Sequence, residues 1–255
     1  MSQPYLSLEA ELHDAFWDAE DDRSEERLMA GFLKKHPGPA LEIGCGSGRL
    51  LLPLLKSGHE VEGLELSPDM LAICRERAAA GGLCPVLHEG DMTTWSPPRR
   101  FAALLAPAFT LQLTADAPRT LRRWHGWLQN GGGLYLTIFI PFSEIESDQS
   151  EGEWYADHEA TLDDGRLARL ETRHAIDLPN RILHREHRYR LSGDPRVHHS
   201  TQTLRWYGSA EMAALLADAG FEVAAAFPDF DPTAGNVDDS NPDFGGIITI
   251  LAIRS

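Results

Sequence analysis

Between Leu41 and Leu50 the chain reads Leu-Glu-Ile-Gly-Cys-Gly-Ser-Gly-Arg-Leu. Gly44, Gly46 and Gly48 stand at alternate positions between two apolar runs. Glycine tolerates positive φ and lets a ligand approach the backbone closely. The segment predicts a strand, a tight turn, and a helix whose free N–H groups face whatever sits at the turn. Such a unit opens parallel α/β sheets, which restricts the folds available to the rest of the chain. A tight turn with no ligand is the alternative reading of the same glycines.

The flanking sequence fits that unit. Ala40–Ile43, His59–Leu66, Pro85–His88, Phe101–Ala106 and Gly133–Phe139 read as strands, and Arg49–Ser57, Pro68–Ala80 and Ala117–Leu128 as helices between them. Alternation of this kind, with strands apolar on both faces, predicts a parallel sheet covered by helices. Residues 1–38 are acidic and helical in pattern, with Leu8, Leu12, Phe16, Met29, Phe32 and Leu33 at helical spacing before Pro37-Gly38-Pro39. Residues 143–165 are polar and acidic. Arg166–Asp177, Arg181–Leu191 and Val197–Tyr207 then have strand character, with turn residues between them, and predict an antiparallel insert. A helix over Ser209–Ala219 follows, with Ser209 as N-cap and Gly220 just past its end. Phe221–Phe227 and Ile247–Ile253 are the final strands, separated by a long loop from Pro228 to Gly246. The expected organisation is one domain over 1–255, with a helical cap at 1–38 and an inserted antiparallel lid or acceptor subdomain at 143–207.

Composition removes several function classes. The formal net charge is -16, which opposes polyphosphate binding and predicts no nucleic-acid partner. Three cysteines without a CxxC pair predict neither a disulfide framework nor a zinc site, and no metal is expected. The N-terminus lacks an apolar segment, and no run approaches the ~18 residues needed to span a bilayer. The expectation is a cytoplasmic protein without membrane contact.

Spacing narrows the ligand. A dinucleotide turn carries its last glycine or alanine where this chain has Arg49. Glu42, two residues before Gly44, would also repel a pyrophosphate. A cationic ligand suits it, and S-adenosylmethionine carries both an ammonium and a sulfonium. Glu65 ends the second strand nineteen residues after Gly46, where an acid can accept both ribose hydroxyls. Asp91 and Met92 follow the third strand; the carboxylate can accept from an adenine amino group and Met92 can pack on the ring. All these positions fall at the carboxyl ends of neighbouring parallel strands, the edge where open α/β sheets bind ligands.

The stretch LEIGCGSGRLLLPLLKSGHEVEGLELSPDML, followed by EGDM, resembles the class I S-adenosylmethionine-dependent methyltransferases, and within them the bacterial small-molecule group. The resemblance implies a seven-stranded, Rossmann-like, mostly parallel sheet with an antiparallel last strand, helices on both faces, and the insert between strands five and six. It implies that Glu42, Gly44, Cys45, Gly46 and Gly48 line the methionine moiety, and that Glu65 takes the ribose. Leu66 and Met70 would flank the adenine, Asp91 and Met92 hold its edge, and Ala106 lie beneath the methyl donor. S-adenosylhomocysteine would be the product. His13-Asp14-Ala15-Phe16-Trp17 resembles the segment that caps the cofactor, with Trp17 as the cap; Phe16 and Trp17 read equally as the helix's core face.

The acceptor would be a small molecule met by the insert, with Phe109, Trp154, Arg205, Trp206 and Tyr207 as wall candidates; core or lid packing is their other reading. The insert's many arginines read as a lid or oligomer surface paired with acids, or as a pocket for an acidic acceptor. No spacing singles out a catalytic base. A non-catalytic cofactor-binding protein, a nicotinamide-dependent oxidoreductase and a nucleic-acid methyltransferase are the competing functions. A monomer or homodimer is expected.

Overall fold

A computed structural model describes residues 4–17, 23–145, 151–235, 237 and 246–255. Helices α1 (Leu8–Trp17) and α2 (Ser24–Lys35) precede β1 (Ala40–Ile43), α3 (Leu51–Lys56), β2 (Val61–Glu65), α4 (Pro68–Ala80), β3 (Leu87–Glu89) and β4 (Phe101–Ala106). A 3₁₀ turn (Thr110–Leu113) leads to α5 (Ala117–Trp127), β5 (Leu128–Phe139) and the short α6 (Phe142–Ile145). The insert contributes β6 (Tyr155–Thr161), β7 (Leu167–Asp177), β8 (Ile182–Leu191) and β9 (Val197–Arg205). Helix α7 (Ser209–Asp218), β10 (Phe221–Pro228) and β11 (Ile247–Arg254) complete the chain.

Seven strands form one sheet in the order β10-β11-β5-β4-β1-β2-β3. Strands β1 to β5 run parallel, and β11 is antiparallel to both β5 and β10. The order reverses beside β1, so the carboxyl ends of β1 and β4 flank a topological switch point. On one face, Met29, Phe32, Leu51, Leu54, Leu71 and Cys74 of α2 to α4 pack on Ala40, Leu105 and Tyr135. On the other, Leu121 and Trp124 of α5 and Met212 and Leu216 of α7 pack on Leu104, Leu134, Leu136 and Ile250. The helices thus cover both faces, as a parallel sheet apolar on each side requires.

The insert is a second, antiparallel sheet, β6-β7-β8-β9. Its base joins the main core through Leu183, Leu204, Trp206 and Tyr207. Gln112 ties the two sheets together: its amide N–H donates to the carbonyls of Phe139 and Arg205, and its oxygen accepts from the Phe139 N–H. Helix α1 lies on the insert, with Leu8, Leu12 and Phe16 against Ala168, Leu170, Tyr189 and Leu191. Buried Glu9 accepts from the Tyr189 hydroxyl at 3.1 Å and from Ser200 Oγ at 2.8 Å.

Several boundaries differ from the sequence reading. The insert has four strands, because β6 forms inside the stretch read as polar and acidic. As an edge strand that among the described residues pairs with β7 alone, it buries too little to show an apolar alternation. Helix α7 has Gly208, with extended backbone, as its N-cap, and Ser209 is its first helical residue. Helix α3 starts at Leu51, since the left-handed Gly48 keeps the glycine turn open beyond Arg49. Strand β5 begins at Leu128, ahead of the expected Gly133. Much of the loop between Pro228 and Gly246 lies outside the described residues.

Candidate functional site

A cavity of about 490 Å³ opens at the carboxyl edge of β1, β2, β3 and β4. Its floor is the glycine turn. Gly44 has φ +74°, and a Cβ there would come within 2.9 Å of Thr110 Oγ1, so only a bare backbone fits between β1 and the 3₁₀ turn. Gly46 and Cys45 also line the cavity. Gly48 does not; at φ +85° it packs inward, where a Cβ would meet Cys74 Sγ at 2.7 Å. Its role is to bring helix and strand together.

Glu65 closes the next side. Its Oε2 accepts the Gly46 N–H at 3.0 Å and its Oε1 the Ser67 N–H at 2.8 Å. One carboxylate therefore locks the glycine turn to the start of α4. Burial pushes its pKa up, and the backbone N–H groups oppose that. Ser67 caps α4 by accepting the Met70 N–H at 3.0 Å, and its hydroxyl donates to the Tyr5 carbonyl. The N-terminal segment is thereby held over the cavity, with Pro4, Tyr5 and His13 in the wall. Burial also raises the Tyr5 hydroxyl.

Glu42 differs from these. It is 2 % exposed and lines the cavity, and among the described residues its Oε2 has no hydrogen-bond partner. Burial, with the neighbouring charges of Glu25 and Glu65, raises its carboxyl well above the usual range. A buried carboxylate with an open oxygen is costly unless something cationic or protic meets it.

At the third strand end, Asp91 Oδ1 accepts from the Thr93 N–H and hydroxyl, both at 2.7 Å. Met92 and Thr93 of this turn line the cavity, as do Leu66 and Met70. At the fourth strand end, Ala106 is fully buried beneath the cavity, and Pro107 and Ala108 line it in its place. Ala108 and Phe109 hold left-handed backbone at φ 51° and 62°, a strained pair for non-glycine residues. The turn they make carries Thr110 and Thr114 to the cavity.

Asp14 anchors the cap from outside. It accepts from Ser47 Oγ at 2.7 Å, pairs with Arg77, and lies 3.1 Å from His13 Nδ1. Burial would raise its pKa, but the bonds from His13 and Ser47 and the Arg77 charge outweigh that and hold it low. Trp17 ends α1, and its side chain lies outside the described residues.

The expected acceptor residues do not meet at this cavity. Phe109 packs on Phe139 at 4.6 Å between centroids, and Trp206 and Tyr207 are buried in the main core. The guanidinium groups of Arg173 and Arg188 lie 4.9 and 4.4 Å from the centroid of the Trp154 ring. Arg205 is exposed over Tyr207. The insert's arginines chiefly pair with acids of the insert itself, such as Arg188 with Glu171, Arg173 with Glu186 and Arg169 with Glu159. Arg185 and Arg181 reach outward to Glu144 and Glu211. No group of three metal-ligating side chains occurs among the described residues.

Tyr5, His13, Arg49, Thr110 and Thr114 are wall residues that sequence reasoning did not assign. His13 stood in the cap motif and Arg49 at the end of the glycine turn, but nothing local says that either side chain turns inward.

The family model described as "Methyltransferase domain" matches residues 40–132. In sequence, the chain is 41% identical over 100 residues to dTDP-3-amino-3,6-dideoxy-alpha-D-glucopyranose N,N-dimethyltransferase from Streptomyces fradiae, covering 37% of this chain and 38% of that relative. The chain thus spans well under two thirds of the relative's length. In structure, an S-adenosylmethionine-dependent methyltransferase from Clostridium acetobutylicum superposes with TM-score 0.77 at 14% identity, covering 96% of each chain. An S-adenosylmethionine-bound amino pentose methyltransferase from Micromonospora echinaspora superposes with TM-score 0.66 at 21% identity over 100% of both.

Proposed function

From the match of residues 40–132 to a methyltransferase-domain model and the geometry of the cavity, we propose that the cavity binds S-adenosylmethionine and that the protein transfers its methyl group to a small-molecule acceptor. The observation that carries this reading is Glu42, a buried acid with an unsatisfied oxygen in a cavity floored by bare glycine backbone. An ammonium group would satisfy that oxygen. A pyrophosphate would not.

Each wall residue then has a task. Glu42 receives the ammonium end. Glu65, already fixed by two backbone N–H groups, receives the ribose hydroxyls without having to reorganise. Asp91 accepts from the adenine edge while Leu66, Met70 and Met92 supply apolar contact to the ring. Gly44, Cys45 and Gly46 let the ligand approach the backbone. When bound, the cofactor supplies an electrophilic methyl group. Thr110, Thr114 and Ala108 border the acceptor side, and Tyr5 and His13 exclude water from above. With the electrophile so activated, alignment is the protein's main contribution, and proximity supplies about 7–11 kcal/mol in well-oriented reactions.

In this reading residues 1–38 act as a cap on the cofactor and 143–207 as a lid toward the acceptor. The Streptomyces relative's name points to amino sugars as the acceptor class to test first. The test is calorimetric titration with S-adenosylhomocysteine, followed by mass spectrometry of an amino-sugar panel incubated with S-adenosylmethionine. Saturable one-to-one binding and a single added methyl group are expected. Folded protein that binds neither cofactor form contradicts the proposal.

A further inference from the structure

The main sheet has a second opening at its other edge. Pro107 and Ala108, just after β4, line the cavity described above, whereas Arg99 and Arg100, just before β4, line a shallow groove of about 460 Å³. Arg122, Arg123 and Gly126 of α5 line the same groove. Phe101 pairs with Leu128, which brings the end of that helix beside the start of β4. Arg99 pairs with Glu60 and Glu62. Arg123 donates through Nη2 to the carbonyls of Thr94 and Trp95 at 2.9 and 2.7 Å, and among the described residues its buried Nε has no partner. Arg100 and Arg122 are exposed and, among the described residues, pair with no acid. The arginines of the insert, by contrast, chiefly meet carboxylates.

Cations in the last turns of a helix complement its carboxyl end, which accounts for Arg122 and Arg123 but not for Arg99 and Arg100 on the strand side. Gly126 is also unaccounted for by the fold. It sits inside α5, where glycine costs stability relative to alanine. Its backbone is not left-handed, and a Cβ there would meet nothing within 4 Å. What the missing side chain does is leave the groove open. We propose that this groove is a second ligand site, separate from the methyl-transfer cavity, and that it takes a diphosphate group. Guanidinium forks match the paired oxygens of phosphate. One fork suffices for a carboxylate; several along one groove suit adjoining phosphates. The net charge of -16 favours a compact anion over a long one. Salt screens that charge beyond about 10 Å, so a diphosphate feels chiefly the arginines beside it. A long polyanion would extend onto a protein of its own sign.

The probe is inorganic pyrophosphate, titrated calorimetrically into the full chain. Saturable one-to-one binding with Kd below about 1 mM is expected, and sulfate, with a single tetrahedral group, at least about tenfold weaker. Arg100→Gln combined with Arg122→Gln is expected to weaken pyrophosphate by about 10- to 100-fold, as loss of charge-assisted pairs does. Both side chains are exposed, so the double variant should melt close to the wild type. Gly126→Gln keeps every charge, favours the helix and fills the groove; pyrophosphate should weaken about tenfold while Tm falls no lower. Arg205→Gln, which removes an exposed guanidinium of the insert, should leave binding unchanged. UDP carries the same group as an ester: binding at least as tight as pyrophosphate, and weakened in the double variant, identifies an ester ligand, and weaker binding identifies the free anion. No saturable pyrophosphate binding up to about 10 mM, undiminished affinity in the double variant or in Gly126→Gln, or an equal loss in Arg205→Gln overturns the inference. None of these outcomes depends on methyl transfer.

Discussion

Replacing Glu65 with alanine removes the side chain that joins the first two strand ends at the cavity. In the free protein it accepts the Gly46 N–H at 3.0 Å and the Ser67 N–H at 2.8 Å. A hydrogen bond to a charged group contributes about 1.5–3 kcal/mol. The freed N–H groups border an open cavity where water can meet them, and burial of the carboxylate already opposes its charge. The expected stability loss is therefore small, about 1–3 kcal/mol, or a fall in Tm of a few degrees. Cofactor binding suffers more. Two ribose hydroxyls lose a charged acceptor, at about 1.5–3 kcal/mol each, so Kd for S-adenosylhomocysteine rises by about 10²- to 10⁴-fold. Glu65→Gln keeps one acceptor oxygen and falls between. Calorimetric titration of both variants, with thermal unfolding run alongside, reads the two effects separately. A Glu65→Ala protein that melts near the wild type and binds with wild-type affinity refutes the role assigned to this carboxylate.

Other outcomes follow from the same geometry. Gly44→Ala forces a Cβ to within 2.9 Å of Thr110 at φ +74°, and is expected to abolish measurable S-adenosylhomocysteine binding while circular dichroism still shows a folded protein. Leu12→Ala empties a fully buried site between α1 and the insert, at a cost of about 2–5 kcal/mol in denaturant unfolding. Glu25 has its pKa raised by burial to about 7, so the native state binds a proton that the unfolded chain releases above its ordinary value of 4.5. Wild-type stability should fall as pH rises from about 4.5 to 7 and level off above, by about 3 kcal/mol from this group. Glu25→Gln should remove that slope, gaining on the wild type as pH rises; a pH-independent difference between the two contradicts the assignment.

What could be read from sequence was what local chemistry dictates. The glycine turn, the parallel strands and the acids at their tips are short-range patterns, and Glu42, Glu65 and Asp91 do come to one cavity. The structure departs from the sequence reading where distant segments decide. Tyr5 reaches the site because Ser67 holds its carbonyl, a contact spanning 62 residues. Gly48 looked like its neighbours, but left-handed backbone turns it toward Cys74. Ala106 is one step short of the wall because the chain bends only at Ala108 and Phe109. Trp206 and Tyr207 follow β9 and fall into the main core, where long-range packing rather than local pattern places them. Strand β6 was hidden because an edge strand with polar side chains carries no period-two signal.

The measurement closest to the centre of this account is the affinity of Glu42→Gln for S-adenosylhomocysteine beside that of the wild type. Glutamine keeps the shape and removes the charge that Glu25 and Glu65 oppose, so the variant should melt no lower than the wild type. Binding at least about tenfold weaker in an equally stable protein is the predicted result. Equal affinity in the two proteins would mean that no cation docks at Glu42, and the site would need a different ligand.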